Sequence, residues 1–313
     1  MGDFVFLPPY KVEVLASARS LEDRVDWGVT AYNIPAIWSQ TKGEGILVAV
    51  IDSGVSDHPD LVDAIHGTKN FSFDPDDHDT VGHGTHVSGI IAARKGMKGI
   101  APECQLLAIK ALGHSGMGSQ DRVGDAVQYA NESGADIICM SLGSPQPNQR
   151  MHEAIRNAYS RGAIVVCAAG NDGGSVTYPA AFQETFGVGA VDKDGNACEF
   201  SSRGKAIAVA APGHDITSCW LGGGYAKLSG TSMAAPFVAG TLALYASAAK
   251  RNGSKVNHSS VSQALAETCK DVGDFGRDPL YGWGLLDPAK LVNYSQSSPQ
   301  SGVTIWIPNG KVL

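Results

Sequence analysis

The chain has 313 residues, 43% of them hydrophobic and 18% charged, and its formal net charge is −7. A chain of this length can bury a sizeable core, which favours one large globular domain with short extensions. The acidic balance lacks the basic face that a nucleic-acid-binding protein normally shows, so no nucleic-acid partner is expected.

The first 25 residues form a segment of their own, because two prolines and scattered apolar residues precede the first regular pattern. No basic stretch followed by an apolar stretch opens the chain, so no secretory signal is predicted. The sequence therefore predicts a cytoplasmic protein without a membrane partner.

Short apolar runs alternate with amphipathic stretches between residues 45 and 170. Four runs have the continuous hydrophobicity of strands covered on both faces: residues 46–51, 106–111, 137–140 and 164–169. Two helices are predicted among them, one with Ser119 as its N-cap and one that ends at Gly162. Strands and helices in this order predict an α/β protein with a parallel sheet.

The longest apolar run covers residues 233–249. Pro236 and Gly240 interrupt it, and it is short for a membrane span, so a buried helix is predicted. The six cysteines include no C-x-x-C pair, and reduced thiols are predicted for a cytoplasmic protein.

Three motifs place reactive side chains at strand ends and helix starts. Asp52 follows the apolar run 46–51, at the carboxyl end of a predicted strand, where α/β sheets build their sites. His83 lies in the sequence GHGTHVSG, at the start of an apolar helix. Ser232 lies in SGTSMAAP, at the start of the longest apolar run.

These residue types together support nucleophilic catalysis. A serine hydroxyl is a weak nucleophile until a base removes its proton, and His83 could be that base. Asp52 could hold the imidazole in the required tautomer. Unpaired N–H groups at the helix start would favour negative charge beside Ser232. The alternative is coincidence, with all three as ordinary structural residues.

The three motifs resemble, in sequence and in order, the signature blocks of the subtilisin (subtilase) family. The resemblance covers about residues 38–292. It implies a subtilisin-type serine endopeptidase with an α/β, three-layer fold around a central, mostly parallel sheet. The predicted lack of a signal and of a large folded propeptide makes the chain most similar to the intracellular subtilisins.

The resemblance also implies the other site residues. Asn171, in AAGNDGG, resembles the asparagine that binds the oxyanion of the tetrahedral intermediate. Two segments resemble those that pair with an extended peptide, and a third resembles the lining of the specificity pocket; they comprise Gly116, Met117, Gly118, Ser141, Leu142, Gly143, Ala168, Ala169 and Gly170. Thr177 and Asp172 are expected near the base or rim of that pocket. Large apolar residues are therefore expected before the cut, with some tolerance of basic ones.

Calcium is an expected cofactor at one place and not at another. Many secreted subtilisins hold calcium with an aspartate that Asp60 matches, but the nearby loop 93–99 is short and basic here, which disfavours a cation. An acidic loop just before His83 offers clustered oxygens that suit calcium; its carboxylates are Asp74, Asp76, Asp77 and Asp79. The alternative is a solvated acidic loop.

The sequence FLPPY at residues 6–10 resembles the short extension that inhibits intracellular subtilisins until it is removed. This resemblance predicts a zymogen whose own N-terminal extension is an inhibitory partner; the alternative is a frayed terminus. The predicted organisation is an inhibitory extension at 1–25, a catalytic domain at 26–292 and a C-terminal tail at 293–313. A homodimer follows from analogy with the same subfamily.

The predicted function is broad hydrolysis of polypeptide substrates through an acyl-enzyme. Two alternatives stay open: a catalytically silent binding protein on the same fold, and a dedicated protease that processes one precursor. A peptide-library profile distinguishes a broad protease from a dedicated one.

Overall fold

The structure is a computed structural model that describes residues 3–15 and 25–297. Its strands are β1 (Phe4–Phe6), β2 (Lys11–Leu15), β3 (Leu47–Asp52), β4 (Ile65–Asn70), β5 (Gln105–Lys110), β6 (Met117–Ser119), β7 (Ile137–Met140), β8 (Ile164–Ala168), β9 (Thr185–Val191), β10 (Ile207–Pro212), β11 (Ile216–Cys219) and β12 (Tyr225–Ser229). Its helices are α1 (Trp27–Ala31), α2 (Ile34–Ile37), α3 (His83–Ala92), α4 (Gln120–Glu132), α5 (Gln149–Arg161), α6 (Thr231–Arg251), α7 (His258–Thr268) and α8 (Pro288–Ser297).

Seven strands form the central sheet in the order β10-β9-β8-β7-β3-β5-β4, and every neighbouring pair is parallel. The predicted α/β fold with a parallel sheet is confirmed. Strand β3 lies between β5 and β7, where the chain changes from building one side of the sheet to building the other. A crevice forms outside the carboxyl ends of the strands at such a point, and Asp52 is the last residue of β3.

Helices cover both faces of the sheet. Successive side chains along each strand point to opposite faces, so each face needs helices to bury its apolar side chains. Val48 and Val50 of β3 join the core that contains α3 and α6. Ala49 and Ile51 join the core that contains α4 and α5. Both faces of β3 are therefore buried, which explains why its sequence is an unbroken apolar run.

Helix α6 contains the predicted buried helix of residues 233–249. It is the one helix within residues 3–15 and 25–297 that is long and apolar enough to cross a membrane, and its apolar window is 100% buried inside the fold. A core helix passes the same test of length and composition. All six cysteines are free, and five are buried.

Two small sheets join the N-terminal segment to the rest of the chain. Strand β1 pairs antiparallel with β6. Strand β2 pairs antiparallel with β12, which also pairs with β11. The first described residues are thus held at two separate places on the body of the protein.

One predicted domain boundary can be compared with the bounds of a helix. The boundary at residue 292 falls inside α8, which continues to Ser297. Residues 1–2 and 16–24 of the predicted extension, and 298–313 of the predicted tail, lie outside the described residues.

Candidate active site

Asp52 and His83 meet at the carboxyl end of β3. The Nδ1 atom of His83 lies 2.8 Å from Oδ1 of Asp52, and both side chains are almost fully buried. The Ser53 N–H donates to the same carboxylate oxygen at 2.7 Å, which orients it toward the imidazole. The imidazole therefore presents Nε2 away from the aspartate.

Helix α3 begins at His83 because two features fix its first turn. Asp79 accepts hydrogen bonds from the N–H groups of Val81, Gly82 and Thr85 and from the Thr85 hydroxyl. This carboxylate satisfies donors that a helix N-terminus leaves free. A side chain at Gly84 would place its Cβ 2.2 Å from the carbonyl oxygen of residue 54, so only glycine allows the helix so close to the end of β3.

Ser232 and Asn171 lie together at the N-terminus of α6. The Thr231 N–H and hydroxyl donate to Oδ1 of Asn171 at 2.8 and 2.7 Å, so its Nδ2 group points outward. The dipole of α6 also favours negative charge at its N-terminus, beside Ser232 and this amide. The predicted nucleophile and oxyanion donor are thus adjacent.

The predicted substrate-binding residues Gly143 and Gly170 both lie against Thr177. A Cβ at Gly143 would lie 2.6 Å from the Thr177 hydroxyl oxygen, and one at Gly170 would lie 2.7 Å from the Ser202 hydroxyl oxygen and 3.4 Å from Cγ2 of Thr177. The backbone therefore approaches these side chains more closely than a residue with a Cβ would allow. Hydrogen bonds from the Gly174 N–H and then the Ser202 hydroxyl lower the pKa of Asp172, an exposed carboxylate nearby.

Strand β1 lies in the groove between the two predicted peptide-binding segments. On one side it pairs with β6, with Val5 opposite Gly118. On the other side, Phe6 and Gly143 exchange N–H···O=C hydrogen bonds of 2.9 and 3.0 Å. The Leu7 N–H then donates to the Gly116 carbonyl at 3.1 Å.

The same segment continues over the reactive side chains. Asn171 Nδ2 donates to the carbonyl oxygen of Pro9 at 2.8 Å, and the ring of Tyr10 lies 5.0 Å from that of His83. Burial, with smaller effects from Asp52 and Asp79, raises the pKa of Tyr10 to about 12, so its phenol is neutral. Ser232 and His83 are both 0% exposed.

The hydrogen bond between nucleophile and base is not formed within the described part of the chain. The Ser232 hydroxyl is directed to the carbonyl oxygen of Ser141 at 3.4 Å, and Nε2 of His83 has no partner. Catalytic hydrogen bonds often tighten only when substrate binds. Asp52 and His83 are in contact, and Ser232 contacts Ser141, which follows β7, the strand beside β3.

The four acidic residues of the predicted calcium loop do not gather around one point among the described residues. Asp79 caps α3, and the Asp74 carboxylate lies 3.3 Å from the ammonium of Lys110. Asp76 and Asp77 accept hydrogen bonds from the His78 N–H and the Thr68 hydroxyl. These residues therefore do not fit a calcium ion in this arrangement, although calcium binding stays a prediction that needs measurement.

The described residues contain one other cluster of metal-ligating side chains, namely His58, Asp60 and Cys219. Asp60 accepts hydrogen bonds from the N–H groups of Gly96 and Met97 and from the Tyr225 hydroxyl. His58 Nδ1 accepts from the Asp60 N–H, and its Nε2 faces a carbonyl oxygen. Groups of this chain thus already form hydrogen bonds with the Asp60 carboxylate and with both ring nitrogens of His58.

Sequence reasoning missed the importance of Lys110. It ends β5 and is 0% exposed. The signal was present in the sequence, because this lysine interrupts an apolar run that otherwise reads as a buried strand.

The sequence of this chain is similar to those of known serine proteases. Residues 43–284 match the sequence profile described as "Subtilase family". An "Intracellular serine protease" of Paenibacillus polymyxa is 40% identical over 298 residues, which cover 90% of each chain. The "Major intracellular serine protease" of Bacillus subtilis (strain 168) is 43% identical over 260 residues, 78% of this chain and 80% of the relative. "Subtilisin Savinase" of Lederbergia lenta is 39% identical over 269 residues, 84% and 97% of the two chains.

Proposed function

The chain belongs to the subtilase family and is a subtilisin-type serine endopeptidase, and we propose that it is made as an autoinhibited precursor with Asp52, His83 and Ser232 as its triad. Membership of a protease family favours this enzyme over a silent binding protein. The observation that carries the proposal is the Pro9 carbonyl on Asn171, in a groove filled by the protein's own N-terminal strand.

In the proposed reaction, the Ser232 hydroxyl attacks the carbonyl carbon of a peptide bond while His83 Nε2 takes its proton. Asp52 holds Nδ1–H and stabilises the imidazolium that forms. Asn171 Nδ2 and the Ser232 backbone N–H bind the oxyanion. His83 then protonates the leaving amine, and water releases the acyl group by the same steps in reverse order.

Inhibition is supported first by where the extension lies. An extended peptide added as a strand between β6 and residues 141–143 is how a substrate would be held. Val5 is 0% exposed in this groove, whereas Phe4 and Phe6, on the other side of β1, are 42% and 39% exposed. Val5 thus anchors the extension where a substrate side chain would bind.

Two prolines explain why the bound extension resists cleavage. Pro8 and Pro9 have no N–H group, so strand pairing stops after Leu7. The chain therefore passes Ser232 without the backbone hydrogen bonds that align a substrate. Tyr10 packs on His83, and the Ser232 hydroxyl stays on Ser141 rather than on the base.

Broad specificity is proposed because backbone pairing supplies much of the binding. The proposed specificity pocket would be lined by small residues beside Thr177, with the negative charge of Asp172 nearby. We expect large apolar side chains before the cut, with some tolerance of basic ones. The names of the Paenibacillus and Bacillus relatives support an intracellular location, and a homodimer stays a prediction that sedimentation can test.

A peptide-library profile tests this function, with the Ser232→Ala protein as the control for contaminating proteases. The expected result is cleavage of many sequences, with large apolar residues before the cut and no cleavage by the variant. A single strong motif would instead support a dedicated processing protease. Strict preference for acidic residues before the cut would contradict the proposed pocket.

A further inference from the structure

A buried lysine lies directly behind the catalytic aspartate. Lys110 ends β5, and in the parallel pairing with β3 it is the partner of Asp52. Its side chain is 0% exposed. Lysine is almost never fully buried unless its charge is paired, so the surroundings of this ammonium group identify its role.

Three oxygen atoms from two segments of the chain surround the Lys110 ammonium group. It donates to the carbonyl oxygen of Ser53 at 3.1 Å and to that of His78 at 2.8 Å. The Asp74 carboxylate, in the same loop as His78, lies 3.3 Å away as an ion-pair partner. The carbonyl oxygens thus accept two of the three ammonium hydrogens, and the carboxylate balances the charge.

Asp74 extends the connection to the groove that holds the peptide. The same carboxylate oxygen accepts the backbone N–H of His114 at 2.9 Å. His114 belongs to the short loop that leads into Gly116 and β6. The Lys110–Asp74 pair therefore joins the residue after Asp52, the loop before His83, and the approach to the peptide-binding strand.

This arrangement resembles part of the oxygen shell around a bound cation. Calcium sites gather carboxylate and backbone carbonyl oxygens from neighbouring loop segments around one positive charge. Here the lysine supplies that charge from inside the protein. We propose that Lys110, paired with Asp74, is an internal cation that positions the Asp52–Ser53 strand end and the peptide-binding strand in place of a metal ion.

The first test compares Lys110→Met, Asp74→Asn and the double variant with the native enzyme. The full chain is incubated until processing stops, and kcat is expressed per site labelled by a fluorophosphonate. This titration keeps incomplete activation separate from lost turnover. Small displacements of catalytic groups can lower rates by about 100-fold, and we expect a loss of kcat of about 10- to 100-fold in Lys110→Met.

The double variant separates positioning from simple stability. Replacing both members of a buried ion pair often restores stability that a single replacement removes. We expect its Tm to return toward the native value while kcat stays low, because Ser53 and His78 still lack their donor. Recovery of kcat together with Tm would overturn the proposal, as would native kcat in Lys110→Met.

A second test asks directly whether this position accepts a cation. In Lys110→Ala, the Ser53, His78 and Asp74 oxygens face the space that the ammonium group leaves. Calcium is expected to raise the Tm of this variant relative to magnesium or a chelator, and not that of Lys110→Ala/Asp74→Ala. No calcium response in Lys110→Ala would contradict the proposal. A calcium response of the native chain that Asp74→Asn abolishes would also contradict it, because a metal would then hold this loop.

Discussion

Asn171 shows how one residue is prepared for its proposed role. Its Oδ1 is held by both donors of Thr231, which leaves Nδ2 free to point into the groove, where it now meets Pro9. A preorganised donor needs no rearrangement when negative charge develops in the reaction, which makes it effective. The sequence predicted this residue, but only the structure gives the orientation of its amide.

Asn171→Ala should therefore lower kcat strongly and change KM little, since the lost hydrogen bond forms mainly in the transition state. Loss of the matching donor in a subtilisin lowers kcat by about 10²–10³-fold, and that range is carried over to this chain. Steady-state kinetics on a small peptide substrate measure the effect. A change confined to KM would argue against the oxyanion role. Asn157→Ala, at an exposed position of α5, is the matched control.

The residue scale also shows where the sequence was insufficient. Asp52, His83 and Ser232 could be predicted because each lies in a short motif at an element boundary. The role of Lys110 could not be predicted. A lysine in an apolar run is conspicuous, but it does not reveal which distant oxygen atoms will surround it. Residue types alone also do not show that Asp79 caps α3, and calcium binding by the acidic loop stays a prediction.

At the scale of elements, β1 and β2 are strands because they pair with β6 and β12. Residues 11–14 of β2 are exposed, and the strand pairs with β12. Buried strands such as β7 were predicted with their observed bounds from continuous hydrophobicity. The two strands of the extension have no such signal, because they form by pairing with β6 and β12.

Val5→Asp should weaken the hold of the extension on the groove, because it places a charge in a fully buried position. The unprocessed chain is then expected to hydrolyse a small peptide substrate without the lag of the native protein. Phe4→Asp, on the exposed side of the same strand, is the matched control and should keep the lag. Equal lags in all three proteins would contradict inhibition by β1.

Helix α3 gives a second element-scale prediction through His86. Burial, and to a lesser extent the nearby His83, lowers the pKa of His86 to about 3. The unfolded chain takes up a proton near pH 6.5, whereas the folded protein does not, so stability is lost as pH falls from 6.5 toward 3. Fully developed, this loss is on the order of 5 kcal/mol.

Denaturant unfolding between pH 7 and pH 4 measures this loss, in a Ser232→Ala background that prevents autolysis. As the pH is lowered, the free energy of unfolding should decrease less steeply in His86→Gln than in its parent. His66→Gln, at an exposed position of β4, is the matched control and should keep the parental slope. An unchanged slope in His86→Gln would show that His86 is not the group responsible.

At the scale of the whole molecule, the protease body and its proposed inhibitor are parts of one chain. The central sheet and its two helical layers follow from strand and helix patterns that the sequence states clearly. The position of the extension on that body does not, because it depends on contacts between residues 3–15 and segments more than 100 residues away. The predicted start of the tail at 293 stays a prediction, although α8 continues past it to Ser297.

The measurement that tests the account most directly is the intact mass of the purified chain and of its Ser232→Ala variant during parallel incubation. If the native chain is an autoinhibited precursor with Ser232 as nucleophile, it should lose roughly its first 15 to 25 residues, where the predicted extension ends, and gain activity as it does so. The variant should keep its full mass throughout. If both proteins stay whole, or if the variant is shortened at the same rate, self-processing by Ser232 is contradicted.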